Sequence, residues 1–157
     1  MGLTKQGLIN TWQKRGLISD QTVLEAFRTI PREKFVPSGF ESEAYCDAPL
    51  KIGCGQTISQ PFTVLAMIEL LNVAKTDKVL EIGAGSGYGA AILGQLASQV
   101  YAIEIVSELV KLARGNLNQA KINNVEVIEW DGSRGYDRKS PYDRIIVSAA
   151  CSKIPER

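Results

Sequence analysis

The segment Gly53-Cys54-Gly55-Gln56-Thr57-Ile58-Ser59-Gln60-Pro61 gathers the densest set of uncharged groups able to do chemistry. Gln56, Thr57, Ser59 and Gln60 supply amides and hydroxyls, while Gly53 and Gly55 permit backbone angles and approaches that a side chain forbids. Pro61 suits the first turn of a helix that Phe62, Leu65, Ala66 and Ile68 continue. A polar loop running into a helix N-terminus can grip a polar or anionic group. Taken alone, Ser59 serves equally well as the cap of that helix, a role worth about 1 kcal/mol over alanine.

A second loop lies downstream in Val79-Leu80-Glu81-Ile82-Gly83-Ala84-Gly85-Ser86-Gly87-Tyr88-Gly89-Ala90-Ala91. A short buried strand ends in glycines and becomes a helix, which lets backbone approach a nucleotide-like ligand at the sheet's carboxyl edge. Two ligand classes compete for it. Gly85-x-Gly87-x-x-Ala90 formally satisfies the dinucleotide fingerprint, in which the helix N-terminus takes a pyrophosphate. Glu81, two residues before Gly83, would repel a pyrophosphate but suits an ammonium or a sulfonium. S-adenosylmethionine carries both positive groups and no phosphate, so it is the better match. Two further acids end the next two strands. Glu104 stands where an acid accepts from ribose hydroxyls, and Asp131-Gly132 where one accepts from an adenine amino group. Each acid alone reads equally well as a cap or a solvated charge, but three on successive strand ends converge on one crevice. A dinucleotide enzyme would also want Glu104, so only Glu81 and Asp131 discriminate.

The elements that must position these groups follow from pattern. In 157 residues, 45% hydrophobic and 22% charged, one globular domain with a real core is expected. Eighteen basic and seventeen acidic residues give a net charge of +1 without clustering, which offers no support for nucleic acid or an anionic membrane as partner. No apolar run is long enough to span a bilayer, and Met1-Gly2-Leu3-Thr4-Lys5 is not a signal peptide. Cys46, Cys54 and Cys151 are odd in number and widely spaced, which suggests reduced thiols in a cytoplasmic protein and no metal site. The absence of histidine removes Ser-His and Cys-His nucleophiles and histidine-based zinc sites.

Residues 1–60 read as two helices, roughly 4–14 and one capped by Ser19 that stops at Pro31, followed by an irregular stretch punctuated by Pro37, Gly39, Pro49, Gly53 and Gly55. Residues 61–157 alternate: helix 62–72, strand 78–82, helix 88–97, strand 100–104, helix 107–121, strand 125–130 and strand 143–148. Alternation of this kind predicts an α/β, doubly wound parallel sheet with helices on both faces. Ile145, Ile146 and Val147 read as a strand buried on both faces.

After the fourth of these strands stands Ser148-Ala149-Ala150-Cys151, where adenine and glutamine amide methyltransferases usually carry Asn or Asp and two prolines. A carboxylate acceptor needs no such group, being a nucleophile at neutral pH, so catalysis reduces to alignment and desolvation. With these residues the chain closely resembles the protein-L-isoaspartate O-methyltransferases. The resemblance rests on Ala44-Tyr45-Cys46-Asp47-Ala48-Pro49-Leu50, Gly55 to Pro61, the glycine loop at 79–91 and Tyr142-Asp143-Arg144-Ile145-Ile146-Val147. It implies a Rossmann-like class I methyltransferase fold with an N-terminal helical and loop extension. It also implies methyl transfer from S-adenosylmethionine, leaving S-adenosylhomocysteine, to the free α-carboxylate of isoaspartyl residues in damaged proteins and peptides, with repair through a succinimide.

By the same resemblance Ser59 is the active-site residue, and physically it is expected to orient the carboxylate, since nothing near it in sequence could act as its base. Glu81, Gly83, Ala84, Gly85, Ser86, Gly87, Glu104, Ile105, Asp131 and Gly132 are expected to hold the cofactor, and Asp47, Gln56, Thr57, Ile58, Ser59 and Gln60 the substrate. Cys54 replaces a histidine common in the family, and Ile105-Val106 replaces a basic residue. Family members continue past Ile154-Pro155-Glu156 with a helix and strands that complete the sheet, whereas this sequence stops at Arg157, as expected of a fragment or a truncated form. An NAD-dependent oxidoreductase and a cofactor-binding fragment without turnover are the alternatives.

Overall fold

The computed structural model describes residues 4–150, so Cys151 and the segment through Arg157 lie outside the described residues. Helix α1 (Lys5–Lys14) starts where Thr4 Oγ1 accepts from Gly7 N at 3.1 Å, and it buries Leu8, Ile9 and Trp12. Helix α2 (Gln21–Thr29) buries Val23, Leu24, Ala26 and Phe27 and ends just before Pro31, which disfavours helical geometry in the residue preceding it. Its cap is Asp20, not Ser19: Asp20 Oδ1 accepts from Thr22 N at 2.7 Å. Ser19 instead donates its backbone N–H and hydroxyl to Glu69 Oε1, at 2.7 and 2.9 Å. A carboxylate fifty residues away in sequence has taken the neighbouring capping residue.

Part of the stretch expected to be irregular is a β-hairpin. Strand β1 (Leu50–Gly53) pairs antiparallel with β2 (Gln56–Ile58), Leu50 opposite Ile58 and Lys51 opposite Thr57. Gly53, Cys54 and Gly55 turn it with φ of 94°, 50° and 70°, the left-handed region open chiefly to glycine. Helix α3 (Pro61–Leu71) follows two residues after the hairpin ends.

The remaining elements build a parallel sheet from β3 (Lys78–Ile82), β4 (Gln99–Glu104), β5 (Val125–Glu129) and β6 (Arg144–Val147), in the order β5-β4-β3-β6. Helix α4 (Tyr88–Leu96) joins β3 to β4, and α5 (Ser107–Gln119) joins β4 to β5. Registers are regular: Leu80 lies opposite Tyr101, and Glu81 opposite Ile146.

Among the described residues, α3, α4 and α5 pack on one face of this sheet, with α2 against α3 and α4, and α1 against α2, on that same side. Their buried residues form one cluster with Val79, Val100, Ala102, Val127 and Ile146. The other face carries Leu80, Ile103 and Tyr136, with Ile82, Tyr101, Ile128 and Tyr142 against them. Within the described residues the helices of this doubly wound fold lie on one face, and chirality explains which. The chain walks from β3 to β4 to β5 in one direction, so two right-handed crossovers put α4 and α5 on the same side. The return from β5 to β6 runs the opposite way and crosses the opposite face, but residues 130–143 contain only two 3₁₀ turns, Gly132–Arg134 and Asp137–Lys139. Ile145 and Val147 are therefore 56% and 47% exposed, whereas Ile146 on the helical side is 7% exposed.

The N-terminal helices share the helical-face core. Trp12 packs on Phe27 at 5.2 Å between ring centroids, and Phe35 meets Tyr88 of α4 edge-on at 5.5 Å. No helix among the described residues is long and apolar enough to cross a membrane.

Candidate active site

A cavity of about 80 Å³ opens at the carboxyl end of β3. The hairpin's end contributes Thr57, Ile58 and Ser59; the glycine loop contributes Gly83, Ala84, Gly85 and Ser86; Glu81, Tyr88, Gly89 and Ser148 complete its polar wall. Two loops separated by more than twenty residues in the sequence thus face one space. Among the described residues, Arg32 Nη1, Glu81 Oε2 and Tyr88 Oη are buried side-chain polar atoms without a hydrogen-bond partner. Glu81 and Tyr88 line this cavity, and Arg32 donates to the carbonyl of Ser59. Buried polar groups are ordinarily satisfied; Arg32 and Tyr88 lie against each other, so among the described residues Glu81 Oε2 is the cavity-wall atom that stands apart from any partner.

Glu81 is 2% exposed. Its Oε1 accepts from Ser148 Oγ at 3.1 Å, across strands β3 and β6. Burial pushes its carboxyl up to about 8; the Ser148 bond opposes this and the Glu104 carboxylate adds to it. A Cβ on Gly89 would lie 2.5 Å from Glu81 Oε1, so glycine there is what lets α4 pass the carboxylate. Gly83 has φ of 94°, and a Cβ on it would lie 2.7 Å from Ala149 N. The glycine loop is held from several sides. Gly83 N and Ala84 N donate to Ile103 O at 2.8 and 3.0 Å, and Ser86 O accepts from buried Asn116 Nδ2 at 2.9 Å.

The Ser59 loop is anchored by two residues that precede it. Arg32, fully buried, donates from Nε to Ala44 O and from Nη2 to Ser59 O, both at 2.8 Å. Its guanidinium lies over the Tyr88 ring, 4.8 Å from the centroid, which links the Ser59 loop to the first residue of α4. Asp47 Oδ1 accepts from Phe62 N at 2.9 Å, and Oδ2 from Trp12 Nε1 at 3.4 Å. Asp47 therefore satisfies the orphan donor at the start of α3, where the N-cap Gln60 makes no side-chain bond. Helix capping is done by a residue fifteen positions upstream, which leaves Ser59 to line the cavity.

The expected cofactor acids sit on successive strand ends. Glu104, 8% exposed, accepts from Gly85 N through Oε2 at 2.9 Å, and from Ile105 N and Val106 N through Oε1 at 2.9 and 3.0 Å. Three of a carboxylate's roughly four acceptor positions are thus used in holding the glycine loop and the entrance to α5. Asp131 is exposed, and its Oδ1 accepts from Ser133 N at 2.9 Å; that bond holds its carboxyl below its ordinary value. A Cβ on Gly132 would lie 2.7 Å from Ile82 Cγ2, so this turn sits close against the end of β3. Ile105 offers a 64% exposed apolar side chain beside Glu104.

Of the residues expected at the site, Thr57, Ile58, Ser59, Glu81 and Gly83 to Ser86 share the cavity. Gly87, Glu104, Ile105, Asp131 and Gly132 lie outside its lining along the sheet's carboxyl edge, and Gln56, Gln60 and Asp47 on the hairpin and its approach. Sequence reasoning missed Ser148 as Glu81's partner and Arg32 as the loop's anchor. Arg32 sits in Pro31-Arg32-Glu33-Lys34, where mixed charge reads as solvated surface.

The family model for protein-L-isoaspartate(D-aspartate) O-methyltransferase matches residues 3–157. A protein-L-isoaspartate O-methyltransferase of Methanoculleus marisnigri is 49% identical over 139 residues, which cover 88% of this chain and 63% of the relative. The chain thus spans less than two thirds of that relative's length. A solved protein-L-isoaspartate O-methyltransferase superposes with a TM-score of 0.86 at 30% identity, covering 97% of this chain and 50% of the other. A Plasmodium falciparum structure, described as a candidate member of the same enzyme class in complex with S-adenosyl-L-homocysteine, superposes with a TM-score of 0.83 at 24% identity. It covers 99% of this chain and 77% of that one, a likeness of fold.

Proposed function

Because this chain belongs to the protein-L-isoaspartate(D-aspartate) O-methyltransferase family, we propose that its cavity serves methyl transfer from S-adenosylmethionine to the free α-carboxylate of isoaspartyl residues in proteins and peptides. The observation that carries this reading is the unpartnered Oε2 of Glu81, buried in a cavity that Ser59 also lines. A single acid without a basic partner suits a cationic ligand and offers a pyrophosphate no counter-charge. The donor set fits S-adenosylmethionine: Glu81 for a positive group, the Gly83–Ser86 backbone for close approach, Glu104's remaining acceptor capacity for a hydroxyl, and Asp131 with exposed Ile105 for the base. When bound, that cofactor supplies an electrophilic methyl group.

The chain's own residues do the rest by placement. The Ser59 hydroxyl is free to donate to a carboxylate oxygen and turn it toward the site. Arg32 holds the Ser59 backbone so that this donor has a fixed position. No general base is needed, because a carboxylate is already deprotonated at neutral pH, and alignment alone can supply several kcal/mol of a barrier, about 7–11 in the best intramolecular cases. An isoaspartyl linkage places the free carboxylate directly on the α-carbon, one methylene nearer the backbone than an aspartyl side chain. A site that reads backbone around the carboxylate separates the two by position, and the methyl ester so formed should cyclise to a succinimide. A cytoplasmic setting suits this repair role and the exposed free thiol of Cys54.

The test is methyl transfer from labelled S-adenosylmethionine to an isoaspartyl peptide and to its aspartyl isomer. Base-labile label on the first alone is expected, and equal labelling of both would sink the reading. Calorimetry with NAD in parallel checks the dinucleotide alternative, which tight NAD binding without methyl-donor binding would favour.

A further inference from the structure

Glu81 sits in a contradiction as a fixed negative charge. Its Oε2 has neither a donor nor contact with water, and its Oε1 has one neutral donor, Ser148 Oγ. The groups around it give no positive charge in return. From β4 comes the Glu104 carboxylate, of like sign. From α4 come Gly89 and Tyr88, whose hydroxyl burial keeps in its neutral form. The hairpin end offers Thr57 and Ser59, α3 only apolar side chains, and β6 with its exit Ile146 and Ser148. Arg32, over the far ring of Tyr88, has its Nε and Nη2 donors committed to Ala44 O and Ser59 O. An ionised carboxylate in this shell would be a buried, unpaired charge, which costs several kcal/mol and is relieved by taking a proton.

We propose that Glu81 is the specificity-determining acid of the cavity through proton exchange: it is neutral while the cavity holds no cation, and it ionises only when a positively charged group of the ligand takes the proton's place. This rests on the cofactor reading given above. The balance is simple. The carboxyl O–H bond breaks, its electron pair stays on oxygen, the proton passes to water or buffer, and an ion pair forms between the carboxylate and the ligand's ammonium or sulfonium. The carboxyl's rise to about 8 from burial agrees with this order of events. The consequence is a preference for cations over anions and neutral analogues. An anionic ligand would hold Glu81 protonated and gain no ion pair, and a neutral one would displace nothing.

The experiment has two arms, and the first needs no ligand. In the full 157-residue chain, carboxyl carbon NMR should show one glutamate resonance with a midpoint above pH 7, absent in Glu81→Gln. A Glu81 midpoint in the ordinary carboxylate range, about 4 to 5, would overturn the proposal. The Gln variant is the neutral, similarly shaped stand-in for the protonated acid, so it should fold.

In the second arm, S-adenosylmethionine is titrated calorimetrically at pH 7 in two buffers of different ionisation enthalpy. Release of about nine tenths of a proton per bound ligand is expected of the wild type, from the fraction of an acid of pKa near 8 that is protonated at that pH. Release near zero is expected of Glu81→Gln if it binds. Binding by the wild type without proton release would also overturn the proposal. Absence of binding would instead count against the cofactor reading, with the NMR arm still deciding the state of Glu81.

Discussion

At the scale of single residues, the proposed reaction divides labour between Glu81, which would meet the cofactor, and the Ser59 hydroxyl, which would meet the acceptor. Ser59→Ala removes only the second, so turnover on an isoaspartyl peptide should fall about tenfold or more while the methyl-donor Kd stays nearly constant. Unchanged turnover would remove Ser59 from the reaction. Glu81 makes a prediction in stability as well. Its folded-state value is raised, so between about pH 5 and 8 the native chain holds a proton that the unfolded chain has lost. Its contribution is therefore complete below its unfolded value and disappears as pH rises through about 8. Urea unfolding should show stability declining across that window by an amount on the order of a few kcal/mol, and Glu81→Gln should flatten the decline. A wild-type profile as flat as that of the variant would contradict the assignment.

At the scale of elements, the Ser59 loop is held by the chain before it. Asp47→Ala frees the first N–H of α3 and the Trp12 indole, and should cost about 1–2 kcal/mol in unfolding free energy, as helix-cap losses do. A loss in isoaspartyl turnover should accompany it, measured beside a control at an exposed position away from the site such as Gln13→Ala. The alternating α/β elements and the glycine loop were legible in sequence because periodicity and strand-end glycines are local signals. The β1–β2 hairpin was not, since strands of four and three residues are too short to show alternation, and its turn places Cys54 at positive φ. The roles of Ser19 and Arg32 depended on partners far along the chain, and Asp20 took the local cap that Ser19 left. No local pattern reveals that Glu69 captures Ser19 or that a guanidinium is buried beneath Ser59. The apolar run Ile145-Ile146-Val147 marked β6 as a strand fit for burial on both faces, but which face is covered depends on chain that lies far from it.

At the scale of the whole molecule, α1 and α2 share their core with the sheet, so the N-terminal segment and the nucleotide-type fold should unfold together. Trp12 is 2% exposed in that common core, while Trp130, at 42%, lies against Tyr136 on the sheet's other side. In a Trp130→Phe background, urea transitions followed by Trp12 fluorescence and by far-ultraviolet dichroism should coincide. An earlier fluorescence transition would mean that the helices detach first. The sheet order carries one more consequence, for the order of events on the ribosome. Strand β3 emerges early, but its partner β6 and the hydroxyl of Ser148 come sixty-odd residues later, the Glu81 to Ser148 separation being 67. Until then Glu81 is an ordinary hydrated glutamate on a nascent edge. Its raised titration point is acquired only as neighbouring strands bury it, β6 being the last of the described strands to do so, and the protonation of one side chain thus reports that this sheet has closed over it.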